Sequence, residues 1–505
     1  MPSDPPPAFN SYDAIPYLGL PCTQTHPGAM AAVAKILSVA PPEPRQCRVL
    51  ELGCCDGGNL MSMAIGLPGS TFLGIDYSPV QIDIGKQRIA SIGLKNVELR
   101  TQSILELTPA LGRFDYIIAH GVFSWVNDAV REKLLEMTAK LLAPAGIAYI
   151  SYNTLPGWHL RGIVRELMLY HAHRFPDPDK RFQEARAIVD FVAHCAAGPN
   201  TEGYIKVLRA EAEMIRQVPD FYLAHEHFSE NCDPFYFNAF VTRARRHGLE
   251  YFADAMIGTM LPTGFGPVAA KALSAVSSNF IEMEQFMDFL RNRSFRQSLL
   301  RPAGSPSPSY EIEPAKLAGL YIKGSMQPKA TVDLRPDQPM TFERAGTAPI
   351  TTTHAFLKAA LLCLGDAYPH TVQFETLIDQ TRARLAAAGI TDAKVHVYSV
   401  GSALLQLLAT TEFIDLSAVG DAFTATSSAI PLASPLARAQ TASGPAVSTL
   451  AHNTVTLEPL EVRVLAQLDG TRNVDQIAAE LATPLAEVRR IIETLAKHAL
   501  LMPAS

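Results

Sequence analysis

A chain of 505 residues, 48% of them apolar, is long enough for several cores, with three domains as the natural expectation. Its 43 basic and 49 acidic side chains leave a formal net charge of −6, which offers no field to draw in nucleic acid or an anionic membrane surface. Seven cysteines at irregular spacing form no Cys-x-x-Cys pair, which excludes a disulfide framework and a standard zinc site. With neither a leader pattern nor an apolar run of membrane-spanning length, the expected setting is reducing and cytoplasmic, with no membrane span.

In chain order, residues 1–44 read as an arm or lid: Pro-rich to 9, aromatic and turn-rich beyond, with a helix at 28–39 that Pro41, Pro42 and Pro44 stop. Between 45 and 155 short β-rich runs (47–52, 71–76, 97–100, 115–120, 147–152) alternate with helical patterns at 58–67, 79–92 and 128–142. That alternation predicts a parallel sheet covered by helices. Residues 156–300 read as a helical and regulatory region, with helices at 159–175, 178–196 and 201–217. Over 235–255 a helix, a glycine stop and a strand follow, and that strand is placed to return to the first sheet. Residues 301–309 read as a linker and 310–422 as an α+β accessory domain, with short strands to 344 and helices over 350–409. Residues 423–449 read as a second long connection, and 450–505 as a winged-helix-like module with helices at 459–468, 473–481 and 484–498. The expected fold is α/β: a Rossmann-like sheet, a helical middle region and a winged-helix-like C-terminal module.

The run VLELGCCDGGNL, residues 49–60, takes a strand into Glu51, then Gly53, Cys54, Cys55, Asp56 and a Gly57-Gly58 pair that opens a helix. Glycines let the chain turn sharply and let a ligand lie against main-chain amides. The helix amino end adds free N–H groups and partial positive charge. Alone, such a turn is equally a packing device. Asp76, at the end of the next strand, supplies an acid able to accept from both ribose hydroxyls. A nicotinamide dinucleotide asks for Gly-x-Gly-x-x-Gly. Here Cys55 takes the place of the second glycine, and Asp56 adds negative charge where a pyrophosphate lies. S-adenosylmethionine has no phosphate, and its ammonium and sulfonium suit a carboxylate, so the charge favours the methyl donor.

The runs ELGCCDGGNL, GIDYSPVQI, QSILEL, DYIIAHGVFSWV and LLAPAGIAYISYN together resemble the core of class I S-adenosylmethionine-dependent methyltransferases. NSYDAIPYLGLPCTQTHP, YNTLPGWHLRG, AHEHF and PFYFNAFVTRARRHGLEYFADA resemble the bacterial family that carries a methyltransferase regulatory domain, and within it the rickettsial protein lysine methyltransferases that modify an outer membrane protein. The resemblance implies S-adenosylmethionine as cofactor and S-adenosylhomocysteine as product. It implies that Glu51, Gly53 and Gly57 form the cofactor loop with Cys54, Cys55 and Asp56, that Asp76 meets the ribose, and that Tyr77, Ser103 and Ile104 lie beside the adenine. His120 and Gly121 match the strand end where the methyl group faces its acceptor.

Methyl transfer needs nucleophile, methyl carbon and sulfur in line, and a lysine amine must first lose its proton. An apolar, aromatic mouth favours the neutral amine. Candidates for that mouth are Tyr12, Tyr17, His120, Trp125, Tyr152, Asn153 and Trp158, joined by Phe123 and His159. Packing beneath a helical cap accounts for the tryptophans equally well. His225 and His227 flank Glu226 like half a metal site without a third ligand, so no metal is expected. The roughly 350 residues outside the core point to a large protein substrate, possible dimerisation or regulation. Three functions stay open: a protein lysine methyltransferase, a methyltransferase for another peptide site or a small molecule, and a cofactor-binding scaffold. The expected partner is a protein, an outer membrane or surface protein before export, and not nucleic acid.

Overall fold

Strand β1 (Arg48–Leu52) is buried on both faces after its first residue, which makes it the natural centre of a sheet. The computed structural model describes residues 17, 19–199, 201–229, 231–344, 346–391, 396–411 and 413–503. Helix α1 (Pro27–Ile36) precedes β1. Helix α2 (Gly58–Gly66), β2 (Thr71–Asp76), α3 (Pro79–Ile92), β3 (Val97–Thr101), β4 (Phe114–Ala119), α4 (Asp128–Leu141) and β5 (Leu142–Asn153) then wind about it. Ser78 caps α3 by accepting from the Gln81 amide, with Pro79 at its first turn, and Asn127 caps α4 through Val130. Among the described residues the main sheet has seven strands in the order β3-β2-β1-β4-β5-β7-β6, where β6 is Leu249–Asp254 and β7 is Phe295–Pro302. β1 pairs in parallel with both β2 and β4, so the chain reverses its direction of winding there, and the carboxyl ends of β1 and β4 open a crevice.

Helices α5 (Gly157–Ala172), α6 (Pro178–Cys195) and α7 (Glu202–Gln217) follow and pack on one another around Val164, Met168, Val189, Leu208 and Ile215, a core of their own. A π turn at Leu223–His227 ends this helical cap. The stretch read as helix, glycine stop and strand becomes α8 (Phe237–Arg246), Gly248 at φ +79° and β6 (Leu249–Asp254). After α9 (Pro267–Val276) and α10 (Phe280–Arg291), strand β7 (Phe295–Pro302) inserts antiparallel between β5 and β6. This strand corrects the sequence reading, in which a linker begins at 301. Its run FRQSLLRP carries two arginines, a glutamine and a serine, and charge at that density reads as loop. It is buried because α10 supplies the matching acids Glu284 and Asp288.

One face of the sheet packs Leu50, Ile117, Ile150 and Tyr152 under α4, α8 and α10. The other packs Val49, Tyr116 and Tyr149 in a core continuous with the middle region, through Leu320, Ile322, Phe342, Leu361 and Phe374. That region holds helices α11 (Ala355–Ala367), α12 (Phe374–Ala387) and α13 (Val397–Thr410) with short antiparallel strands. Residues 423–449, read as a connection, contain α14 (Pro435–Gln440), capped by Ser434, and the strand Ala446–Ser448, paired with Thr454–Thr456. Small residues such as Ala433 and Ala437 let these pieces pack closely, and they show no amphipathic period. With α15 (Pro459–Gln467), α16 (Val474–Glu480) and α17 (Leu485–Lys497) they complete a winged-helix module. It docks on α2 and on the segment before α1: His452 Nδ1 lies 3.0 Å from Ser62 Oγ, and Thr23 donates to the His452 carbonyl at 3.1 Å. No helix of the described residues is long and apolar enough to cross a membrane.

Candidate active site

The loop after β1 is built around Asp76. Its two carboxylate oxygens accept from the Cys55 and Ser78 amides, each at 2.9 Å, and so hold the loop to the end of β2. Gly53 and Cys54 both donate to the Ile75 carbonyl. Gly53 sits at φ +76°, and a Cβ there would lie 2.5 Å from Val122. Cys55 holds the left-handed conformation at φ +51°, so the turn keeps a glycine's geometry with a cysteine in it. Cys54 points into the core against Gly74 and offers the crevice only main chain. Asp56 differs from its sequence reading. Its buried carboxylate pairs with Arg88 and caps α2 through the Gly58 amide at 3.0 Å, so its charge is neutralised within the protein. The carboxylate left to meet a cationic ligand is that of Glu51.

Glu51 is 4% exposed. Its Oε1 accepts from Asn59 Nδ2 at 2.8 Å, while Oε2 has no partner among the described residues. Burial pushes the carboxyl up to about 8, outweighing the Asn59 hydrogen bond and the charge of His120. His120, at the end of β4, has Nδ1 3.0 Å from the Tyr149 hydroxyl and 3.2 Å from Ser151 Oγ. Burial opposes its cation, but Cys22, Glu51 and Glu226 outweigh burial and hold it above its ordinary value. Cys22 lies correspondingly low: burial acts upward, and the charge and hydrogen bond of His120 act downward.

The arm that carries Cys22 lies across the loop after β1. A Cβ at Gly58 would come within 1.8 Å of the Gly19 carbonyl, so two main chains meet there with no room for a side chain. The Cys22 amide donates to Asn59 Oδ1 at 3.1 Å. Further out, the Gln81 amide, in the orientation that satisfies both groups, bonds the Tyr17 carbonyl at 3.0 Å and the Tyr17 amide at 2.9 Å. The Tyr17 ring meets Phe221 edge-on at 5.3 Å and His225 at 5.7 Å, which joins arm to cap.

Of the other sequence candidates, Tyr77 is 64% exposed beside Asp76. Ser103 spends its hydroxyl on the Leu105 amide at the start of a short 3-10 turn, and Ile104 is half-buried against the core. Trp125 and Trp158 come together, ring centroids 6.0 Å apart at 74°. The Asn153 Nδ2 and Trp158 Nε1 atoms are buried without partners among the described residues. Tyr152 does not join this group. It stacks on Phe240 at 4.1 Å inside the core, its hydroxyl 3.0 Å from Ser298 Oγ, because alternate residues of β5 face opposite sides of the sheet. Tyr12 lies outside the described residues. Sequence reasoning assigned no role to Cys22, Asn59, Tyr149 or Arg161, and read Glu226 only as part of an incomplete metal site.

Residues 50–148 match the family described as Methyltransferase domain, 219–301 the Predicted methyltransferase regulatory domain, and 430–500 the PKMT C-terminal winged helix domain. The Rickettsia prowazekii protein RP028 is 39% identical over 236 residues, 47% of this chain and 94% of its own length. RP789 of the same organism is 40% identical over 291 residues, 58% of this chain, and the match spans about half (52%) of that protein. The structure of PKMT2 from Rickettsia typhi superposes with a TM-score of 0.84 at 29% identity, covering 97% of this chain and all (100%) of that one. PKMT2 in complex with AdoHcy gives 0.85 at the same 29% identity, over 96% and 100% of the two chains.

Proposed function

Because the chain belongs to the S-adenosylmethionine-dependent methyltransferases that carry a methyltransferase regulatory domain, we propose that it transfers methyl groups to lysine side chains of proteins, with the β1–β4 crevice as its cofactor site. The observation that carries the cofactor assignment is the buried Glu51 Oε2, an anion-capable atom with no partner at the mouth of the glycine turn. An ammonium is the group it fits. Glu51 receives the amino-acid end, Asp76 the ribose hydroxyls and Tyr77 one face of the adenine, while the loop amides line the floor. S-adenosylmethionine supplies an already activated methyl carbon on a sulfonium, so the protein's work is orientation and exclusion of water. The 19–22 arm closes over the loop, and the two tryptophans wall the acceptor side. The near-complete overlap with PKMT2 supports a protein lysine as acceptor, in preference to a metabolite. We propose further that the acceptor is a surface protein methylated in the cytoplasm before export, the class implied by the sequence resemblance to the rickettsial enzymes.

Labelled S-adenosylmethionine incubated with this protein and a host-cell lysate is expected to leave label on lysine side chains of proteins, read by mass spectrometry. Label confined to small molecules rejects the lysine reading.

The cofactor assignment has its own signature. At pH 7 Glu51, at about 8, is mostly protonated, and a bound ammonium favours its anion. S-adenosylhomocysteine binding at pH 7 is therefore expected to release close to one proton per site, measured by calorimetry in buffers of different ionisation enthalpy. Affinity rises with pH up to about 8. In the free protein the sign is opposite. Between the ordinary 4.5 and about 8 the folded state holds a proton that the unfolded chain has lost, so Glu51 costs stability as pH rises through that window. Glu51→Gln removes both effects. Proton release that persists in this variant excludes Glu51 as its source.

A further inference from the structure

The π turn of the cap carries one acid, Glu226, close enough to His120 for each to feel the other's charge. In the π turn Leu223–His227 the Phe228 amide donates to the Leu223 carbonyl, and the extra residue per turn shifts the side chains out of helical register. His225 and His227 are buried at 4% and 2% exposure, whereas Glu226 is only partly buried. The Glu226 carboxylate makes no hydrogen bond or ion pair within the described residues. Its charge is felt by His120 across the crevice, by Tyr222 on its own turn and by Cys232 in the next loop. Cys232 in turn lies against Asn153, whose Nδ2 is unpartnered. From α5, Arg161 faces Glu226 and also the Glu211 of α7 at 3.9 Å, while Arg165 faces His227.

We propose that Glu226 receives the lysine side chain from the cap side, pairing with its ammonium and taking its proton before methyl transfer. This rests on the lysine reading above. The other titratable groups at the crevice are committed: Glu51 to the cofactor ammonium, and Cys22, Tyr149 and His120 to one another. A His120 favoured as a cation repels an ammonium and has no free site for its proton. Burial pushes Glu226 up to about 7, against the pull of Arg161 and His120, which is where a proton acceptor works best at neutral pH. The step balances. One ammonium proton passes to the carboxylate, the amine lone pair forms the N–C bond, and the C–S bond breaks with its electron pair left on sulfur. The methylated nitrogen leaves as a cation, and Glu226, which is only partly buried, returns its proton to solvent.

The test compares the full-length protein with Glu226→Gln and Glu226→Asp, using lysate and deca-lysine as acceptors. Methyl-lysine is counted after acid hydrolysis from pH 6 to 9.5. Glu226→Gln is expected to lose about a hundredfold or more in methyl-lysine formation at pH 7.5 and to lose the rise in rate through about pH 7. Its rate recovers as pH approaches that of the free amine, and Glu226→Asp restores part of the loss. Two readouts do not depend on turnover. S-adenosylhomocysteine affinity stays within about twofold, which also shows that the variant folds. Deca-lysine binding weakens about tenfold with S-adenosylhomocysteine present, followed by the fluorescence of Trp125 and Trp158, the chain's only tryptophans. A Glu226→Gln protein that keeps its rate, or loses rate evenly with the acid limb in place, overturns the inference and leaves the lysine reading standing. A wild-type protein that forms no methyl-lysine while labelling another group overturns the lysine reading and the inference with it.

Discussion

Asp76→Ala is expected to weaken S-adenosylhomocysteine binding on the order of a hundredfold, measured by calorimetry. Two hydrogen bonds to a charged acceptor are each worth roughly 1.5–3 kcal/mol net, so losing the ribose pair costs about 3 kcal/mol or more. The structure adds a second route to the same loss. The carboxylate also holds the Cys55 and Ser78 amides at 2.9 Å, so alanine releases the strained turn at Cys55 as well as the sugar. Asp76→Asn separates the two. Its one carbonyl oxygen still accepts an amide, but its NH2 faces a second donor, so the loop is held on one side only and affinity falls between alanine and wild type. An unchanged affinity in Asp76→Ala removes this carboxylate from the site. Affinity lost equally in both variants assigns the effect to the carboxylate's charge, since asparagine keeps one of the two loop bonds.

The cofactor half of this site is legible in the sequence because it is local. Glu51, Gly53 and Asp76 follow strands whose period is clear, and a strand that runs into glycines and then a helix has few ways to fold. The acceptor half is not local. Cys22 meets His120 only because the arm crosses the sheet at a switch point, and no spacing in the chain announces that. Glu226 was hidden by register. AHEHF reads as an ordinary helix start, and only a π turn, with its inserted residue, buries the two histidines and leaves the acid between them less buried. Asp56 misled in the other direction, since a buried arginine one helix away cancels its charge. Tyr152 shows the limit of strand-end reasoning: a residue at the active edge faces the site on one parity of the strand and the core on the other.

The winged helix connects to these observations. It docks within its own chain. His452 approaches the His26 ring at 5.1 Å and bonds Ser62 on α2, while Thr23, beside Cys22, donates to its carbonyl. The tail therefore braces the root of the arm that closes the cofactor loop. A contact so far from the mouth bears on catalysis through the position of that arm.

The largest effect on stability is expected from Arg296→Met, a loss of about 3–5 kcal/mol in chemical unfolding. Arg296 is 1% exposed and lies 3.6 Å over the Phe237 ring. Its guanidinium gives two bonds to Asp288 and one to Glu284, each 2.8 Å, and Glu284 also takes the Tyr251 hydroxyl. Removing the cation leaves two buried carboxylates facing each other in a medium that cannot solvate them, and this penalty far exceeds the net worth of the intact network. Combining Arg296→Met with Glu284→Gln and Asp288→Asn removes the charges together and is expected to recover part of the loss. The single variant is therefore the least stable of the series. A single-variant loss below about 1 kcal/mol contradicts this reading of the network. The effect reaches the site because β7 begins at Phe295, whose ring edge meets His120 at 6.1 Å. Loosening β7 lets that wall move. In whatever fraction of Arg296→Met remains folded, methyl transfer is expected to fall further than S-adenosylhomocysteine affinity, since the proposed acceptor side includes His120 while Glu51 and Asp76 stand on strands that the network does not touch.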